Sequence, residues 1–376
     1  MARQTQETNL YPKTLLIGVD APYNETNDIN SYFEEFKNLA KTNNIENPEF
    51  VSIKIREIDP STFITKGKLE QILEFCKKEN IEQVVISEPL TSRQKRNLTD
   101  LLNCPVFDRT ELILEIFEKA AITSEGKLQV EIAMLKHKKS RVAGRGIHLE
   151  QQRSTRGVIS GAGETAKELA LRHLEDQILK LNKKLEKLQQ TRDTQRKKRL
   201  SQNIPQICII GYTNAGKSTI LNILTKSTVL AEDKLFATLD TTTREIYINN
   251  KKKGVISDTV GFIQQLPTNL IEAFKSTLFE LKNADLLLHV VDISDKNWES
   301  QIKVVHEILE DLDVHSQMLY VFNKADKIPD LENIQYLIDK YNPHVIISAL
   351  SKSGIEPLVE YLSTWDMPTT KPPTSA

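Results

Sequence analysis

Gly211, Gly216, Lys217 and Ser218 stand at the spacing G-x-x-x-x-G-K-S within Gly211-Tyr212-Thr213-Asn214-Ala215-Gly216-Lys217-Ser218-Thr219. That set of residue types suits phosphate. A glycine turn exposes backbone N–H groups, the following helix adds its positive N-terminal end, and a lysine neutralises the β and γ phosphates. The Ser218 hydroxyl is then a ligand for the magnesium ion that bridges those phosphates. The context agrees, because Ile207-Cys208-Ile209-Ile210 reads as a buried strand and Ile220-Leu221-Asn222-Ile223-Leu224 as the first turns of a helix.

Four further patterns follow in order. Residues 232–243 form a polar, threonine-rich stretch suited to a loop that orders around a γ-phosphate, and Thr238 is the first choice for a second magnesium hydroxyl. Val255-Ile256-Ser257-Asp258 reads as a strand leading into Asp258-Thr259-Val260-Gly261, where the carboxylate would hold magnesium through water and the Gly261 amide would sense the γ-phosphate. After the strand Met318 to Phe322, Asn323-Lys324-Ala325-Asp326 places a carboxylate that accepts two hydrogen bonds from guanine, which adenine lacks the donors to make. That disfavours a kinase or ATPase. Ser348-Ala349-Leu350, after Val345-Ile346-Ile347, would set a backbone N–H against the guanine O6. Lys217, Thr238 and Gly261 are the residues expected to act on the γ-phosphoryl group.

These motifs need strands that end at one edge, and the chain has room for them. With 376 residues, 39% apolar and 27% charged, it is long enough for two or three ordinary domains. Cys76, Cys104 and Cys208 are far apart, which argues against a disulfide framework or a zinc site. No apolar leader opens the sequence and no apolar run is long enough for a bilayer, so a cytoplasmic protein without membrane insertion is expected. From Thr14 to Arg109, strand-like runs alternate with helical ones, which predicts a small parallel α/β subdomain.

From Glu111 to Leu135 and from Glu164 to Leu200 the pattern becomes long helix. Leu171, Leu174, Ile178, Leu181, Leu185 and Leu188 make an a/d seam, and the earlier segment is its nearest partner in an antiparallel hairpin arm. Between them, residues 136–160 carry seven Lys or Arg against one acid, Glu150, in a chain whose net charge is −1. Lys138, Lys139, Arg141, Arg145, Arg153 and Arg156, on a glycine-rich tip, are therefore candidates for contact with RNA phosphates.

Taken together, the four ordered motifs resemble a Ras-like P-loop G domain, and the whole chain resembles the HflX family of ribosome-associated GTPases. The second resemblance rests on Asp258-Thr259-Val260-Gly261-Phe262-Ile263 with Leu266-Pro267, on Leu235 to Asp240, on Asp108 to Leu114 with Glu125 to Val130, and on Gly161 to Thr165. It implies a GTPase that binds the large ribosomal subunit, dissociates stalled ribosomes and extends its arm loop toward rRNA at the peptidyl-transferase centre. Phe262 stands where Ras-like proteins carry the glutamine that orients water, so slow intrinsic hydrolysis with stimulation by a partner is expected. Asparagine at the position of Asn214 implies potassium beside the phosphates. A monomer is expected, with divisions at 1–109, 110–203 and 204–366 and a disordered tail, 367–376. The competing reading is a GTP-gated RNA- or protein-binding module with negligible turnover.

Overall fold

The first strand, β1 (Thr14–Asp20), reads Thr-Leu-Leu-Ile-Gly-Val-Asp and is buried from Thr14 to Val19, as a parallel strand covered on both faces requires. It pairs in parallel with β2 (Glu49–Lys54) and β3 (Gln83–Ile86), and β3 pairs with β4 (Val106–Asp108), giving the order β2-β1-β3-β4. The structure is a computed structural model, and it describes residues 12–24, 28–143, 166–201, 204–225, 235–236, 243–249, 251–265, 281–351 and 353–365. Among these residues no helix is long and apolar enough to cross a membrane.

Around the first sheet run α1 (Ile29–Thr42), α2 (Lys66–Glu79), α3 (Ser92–Leu102) and α4 (Arg109–Ala120). Asp28 caps α1 by accepting from the Asn30 N–H, and Thr91 with Gln94 forms a capping box on α3. Asp108-Arg109 joins β4 to α4 and explains part of the sequence block around it. Asp108 accepts from the Leu90 and Glu111 amides, and Arg109, 2% exposed, pairs with buried Glu35 and lies 4.6 Å from the Tyr32 ring centroid.

The single long helix expected over 111–135 is two helices, α4 and α5 (Ser124–Ala143). Thr123 is the reason. Its hydroxyl accepts from the Gly126 N–H at 3.0 Å and its carbonyl from the Lys127 N–H at 3.0 Å, which starts a new helix. The later long helix is α6 (Ala166–Ser201), whose seam residues Leu174 and Leu181 are buried. Lys139 of α5 pairs with Glu175 of α6 at 2.9 Å.

A second sheet contains β5 (Gln206–Gly211), β6 (Thr243–Ile248), β7 (Lys251–Asp258), β8 (Leu286–Asp292), β9 (Gln317–Asn323) and β10 (His344–Ile346). Its order is β10-β9-β8-β5-β7-β6, with only the β6–β7 pair antiparallel among the described strands. Helices α7 (Lys217–Thr225), α8 (Trp298–Asp311), α9 (Glu332–Ile338) and α10 (Glu356–Thr364) accompany it. Register brings the strand ends to one edge, with Gly211 opposite Val290, Ile209 opposite Asp258 and Asp292 opposite Asn323. Crevices outside the carboxyl ends of parallel strands are where such sheets bind ligands.

The chain divides into two compact units, residues 1–119 with 131–181 and residues 120–130 with 182–376, so α5 and α6 are each shared between them.

Candidate nucleotide site

Gly211 ends β5 with φ 143°, and a Cβ there would stand 2.2 Å from the Val290 carbonyl oxygen, so only glycine fits. The loop turns through Asn214 at φ 61° and Gly216 at φ 97° before α7 begins at Lys217. Lys217 is 6% exposed, and its ammonium donates to the Gly211 and Tyr212 carbonyls at 3.1 and 2.6 Å. Burial pushes its pKa down to about 8, against the opposing charge of Asp258. Phosphate oxygens would supply negative partners that raise it again.

Ser218 donates to an Asp258 carboxylate oxygen at 2.8 Å, and the other carboxylate oxygen accepts from the Thr259 N–H at 3.0 Å. One hydroxyl beside one carboxylate is a pair of hard oxygen donors, which suits Mg²⁺ sharing its remaining positions with phosphate and water. Among the described residues no group of three or more His, Cys, Asp or Glu side chains is arranged to hold a metal ion.

Beyond Asp258 the chain rejoins the phosphate loop. Phe262 donates its N–H to the Gly211 carbonyl at 3.2 Å, Thr213 donates to the Phe262 carbonyl at 2.9 Å, and Tyr212 and Phe262 form a parallel bridge. The Phe262 ring is 2% exposed and belongs to the core. Gly261 sits between, where an added Cβ would be 2.8 Å from the Thr213 methyl and 3.0 Å from the Lys217 nitrogen.

Asn323, 2% exposed, joins three motifs. Its amide donates to the Ala215 carbonyl at 2.9 Å and its oxygen accepts from the Ala349 N–H at 3.0 Å. Lys324, in the left-handed region at φ 64°, donates to the Asn214 carbonyl at 2.9 Å and pairs with Asp292 at 2.6 Å. Ser348 donates to Asp326 at 2.5 Å, while its N–H donates to the Gly354 carbonyl at 3.0 Å. Leu350 is 80% exposed at the end of this segment. The sequence-identified Asn214, Ala215, Gly216, Lys217, Ser218, Thr219, Asp258, Gly261, Asn323, Lys324, Asp326, Ser348, Ala349 and Leu350 thus lie at one edge of the second sheet and the turns that follow it.

Asp292 and Gly354 escaped the sequence reading. The signal for Asp292 was a buried strand ending in a carboxylate. Gly354 had none beyond its type, although a Cβ there would stand 2.1 Å from the Ser348 carbonyl oxygen. Thr238 lies outside the described residues, as do Arg145, Arg153, Arg156 and the tail 367–376. Lys138 is exposed at the end of α5, and Lys139 is engaged with Glu175. Arg141, expected among the charges offered to RNA, is committed elsewhere. Its side chain is 14% exposed and pairs with Asp108 at 2.6 Å and Glu111 at 3.5 Å, while its carbonyl accepts from the Ser92 hydroxyl at 2.7 Å.

Three family signatures match the chain. One described as "GTP-binding GTPase N-terminal" covers residues 30–118, one described as "GTP-binding GTPase Middle Region" covers 120–199, and one described as "50S ribosome-binding GTPase" covers 206–324. GTPase HflX of Caldanaerobacter subterraneus subsp. tengcongensis is 41% identical over 327 residues, spanning 87% of this chain and 75% of that protein. The chain belongs to the HflX family of GTPases. GTPase HflX of Escherichia coli K12 is 39% identical over 332 residues, 88% of this chain and 78% of that one. The crystal structure of SsGBP in complex with GDP matches 93% of this chain and 97% of that chain, with 28% identity and a TM-score of 0.51. GTP is therefore the substrate of this GTPase, and hydrolysis its reaction.

Proposed function

We propose that this GTPase works on the large ribosomal subunit, using its nucleotide state to control how the arm engages rRNA, and that it dissociates stalled or idle ribosomes. The observation that carries the reading is the pairing of an HflX-type G domain with a stretch, residues 136–160, holding seven basic residues against one acid. Each phosphate that such a stretch neutralises releases counterions and adds affinity independent of sequence.

In this reading Lys217 and the amides from Asn214 to Thr219 hold the β and γ phosphates. Ser218, Asp258 and Thr238 hold Mg²⁺, which supplies neutralisation of the phosphate charge. Asp326 and Lys324 select guanine, with Ser348, Ala349 and Leu350 setting a backbone N–H against its O6, and Gly261 senses the γ-phosphate. Asn214 would place K⁺ beside the phosphates. Phe262 cannot orient water, so turnover is slow until the ribosome stimulates it. Lys138, Arg145, Arg153 and Arg156 carry the RNA contact, with Lys139 joining them once it leaves Glu175. The protein acts as a cytoplasmic monomer, organised as an N-terminal α/β subdomain (1–109), a hairpin arm (110–203) and a G domain (204–366).

The test is light scattering of ribosome dissociation in GTP, in GDP and in a non-hydrolysable analogue, together with GTP turnover with and without large subunits. Dissociation in GTP and stimulated turnover are expected. Turnover indifferent to large subunits would refute the ribosomal reading, and K⁺ replaced by Na⁺ without loss of rate would remove the role given to Asn214.

A further inference from the structure

The phosphate loop contains a polar group that none of the motif roles uses. Thr213 is 7% exposed, its hydroxyl oxygen is buried, and that oxygen has no hydrogen-bond partner among the described residues. A buried hydroxyl left unpaired costs free energy that a valine of the same shape would not. Its neighbours locate it. A Cβ built on Gly261 would stand 2.8 Å from the Thr213 methyl and 3.0 Å from the Lys217 nitrogen, so the side chain of Thr213, Lys217 and Gly261 converge on one point. Lys217 is the group that meets the γ-phosphate from one side and the Gly261 amide the group that senses it from the other. The Thr213 N–H is already spent on the Phe262 carbonyl at 2.9 Å, which anchors the residue in this position.

We propose that Thr213 is a catalytic residue of this GTPase, its hydroxyl donating a hydrogen bond to a γ-phosphoryl oxygen as hydrolysis proceeds. In that reaction the water oxygen bonds to the γ-phosphorus, and the bond to the β–γ bridging oxygen breaks with its electron pair leaving on GDP. One water proton ends on the released phosphate and the other in solvent. Negative charge is spread over the γ-phosphoryl oxygens in the transition state, and a donor already fixed beside them stabilises it without reorganising. The buried ring of Phe262 cannot supply one, whereas Thr213 stands against Gly261 itself.

The inference rests on the GTP site and not on the ribosomal reading, and GDP affinity reports the site independently of turnover. The experiment uses the full chain in three forms, wild type, Thr213→Val and Thr213→Ser, and measures single-turnover GTP hydrolysis and GDP affinity. Valine keeps a methyl against Gly261 and removes the hydroxyl. It should slow hydrolysis by about tenfold to a hundredfold, the loss expected for one donor to a charged group, while GDP affinity stays at the wild-type value. Serine keeps the donor and should hydrolyse near the wild-type rate. The proposal is overturned by a valine variant that turns over like wild type, by a serine variant as slow as valine, or by loss of GDP affinity in both, which would assign the side chain to packing alone.

Discussion

Asn323→Ala tests whether the G domain is held at its nucleotide edge by one side chain. The amide donates to the Ala215 carbonyl at 2.9 Å and accepts from the Ala349 N–H at 3.0 Å, and it is 2% exposed. Alanine strands one backbone acceptor and one backbone donor away from water. Each stranded group costs about 1–3 kcal/mol, so the variant should lose roughly 2–6 kcal/mol, toward the lower end if a water enters the space. The space exists, because Gly216 packs so closely on Asn323 that a Cβ at Gly216 would be 2.3 Å from the amide nitrogen. The chain supplies its own probe. Its two tryptophans, Trp298 and Trp365, are 5% and 8% exposed and both belong to the unit containing residues 182–376. Tryptophan fluorescence in urea therefore reports that unit alone. The midpoint of Asn323→Ala should fall with no change of slope, and Asn323→Asp, which turns an acceptor toward the Ala215 carbonyl and buries a carboxylate without a cation, should fall at least as far. An alanine variant that unfolds at the wild-type midpoint would refute the reasoning.

Other expectations follow from the same geometry. Lys217 has a pKa lowered from 10.5 to about 8 by burial, so without nucleotide the folded chain releases this proton before the unfolded chain does. Stability should accordingly rise with pH between about 8 and 10.5, and the rise should vanish in Lys217→Met by urea titration at several pH values. GTP affinity should fall over that window in wild type if the Lys217 ammonium is the group that meets the phosphates, and an affinity flat across it would remove that role. Phe262→Gln should not speed hydrolysis, because the position faces the core, and burying the amide should cost about 1–3 kcal/mol; a turnover assay showing acceleration would contradict this. Arg141→Met leaves Asp108 buried without its cation and should destabilise the N-terminal unit by about 3–5 kcal/mol, read by hydrogen exchange at β4, with GDP affinity unaltered. Neutralising Arg145, Arg153 and Arg156 should instead leave stability intact and reduce the salt slope of ribosome association by up to about one unit per lost phosphate contact.

The sequence by itself determined the buried parallel strands, the guanine-selective motif set and the edge at which it assembles, but not the antiparallel β6. Those features are written locally. A buried strand is a run such as Leu286 to Val291, a phosphate turn needs glycine at Gly211 and Gly216, and each motif follows its own strand, so spacing along the chain carries the information. The features that only the tertiary structure decided depend on partners far apart in sequence. Arg141 looked like one more free charge on a basic tip until Asp108, 33 residues away, was found to hold it. Phe262 announced a missing glutamine, but that its ring is in the core and its backbone is bonded to Gly211 and Thr213 follows from pairing with the phosphate loop. The 111–135 helix gave no period-based sign of its break, because the Thr123 cap acts through two hydrogen bonds that hydrophobic spacing does not encode. Thr213 is the sharpest case. Its type was plain from the start, yet whether its hydroxyl meets water, a neighbour or nothing is settled only where Gly261 and Lys217 close around it.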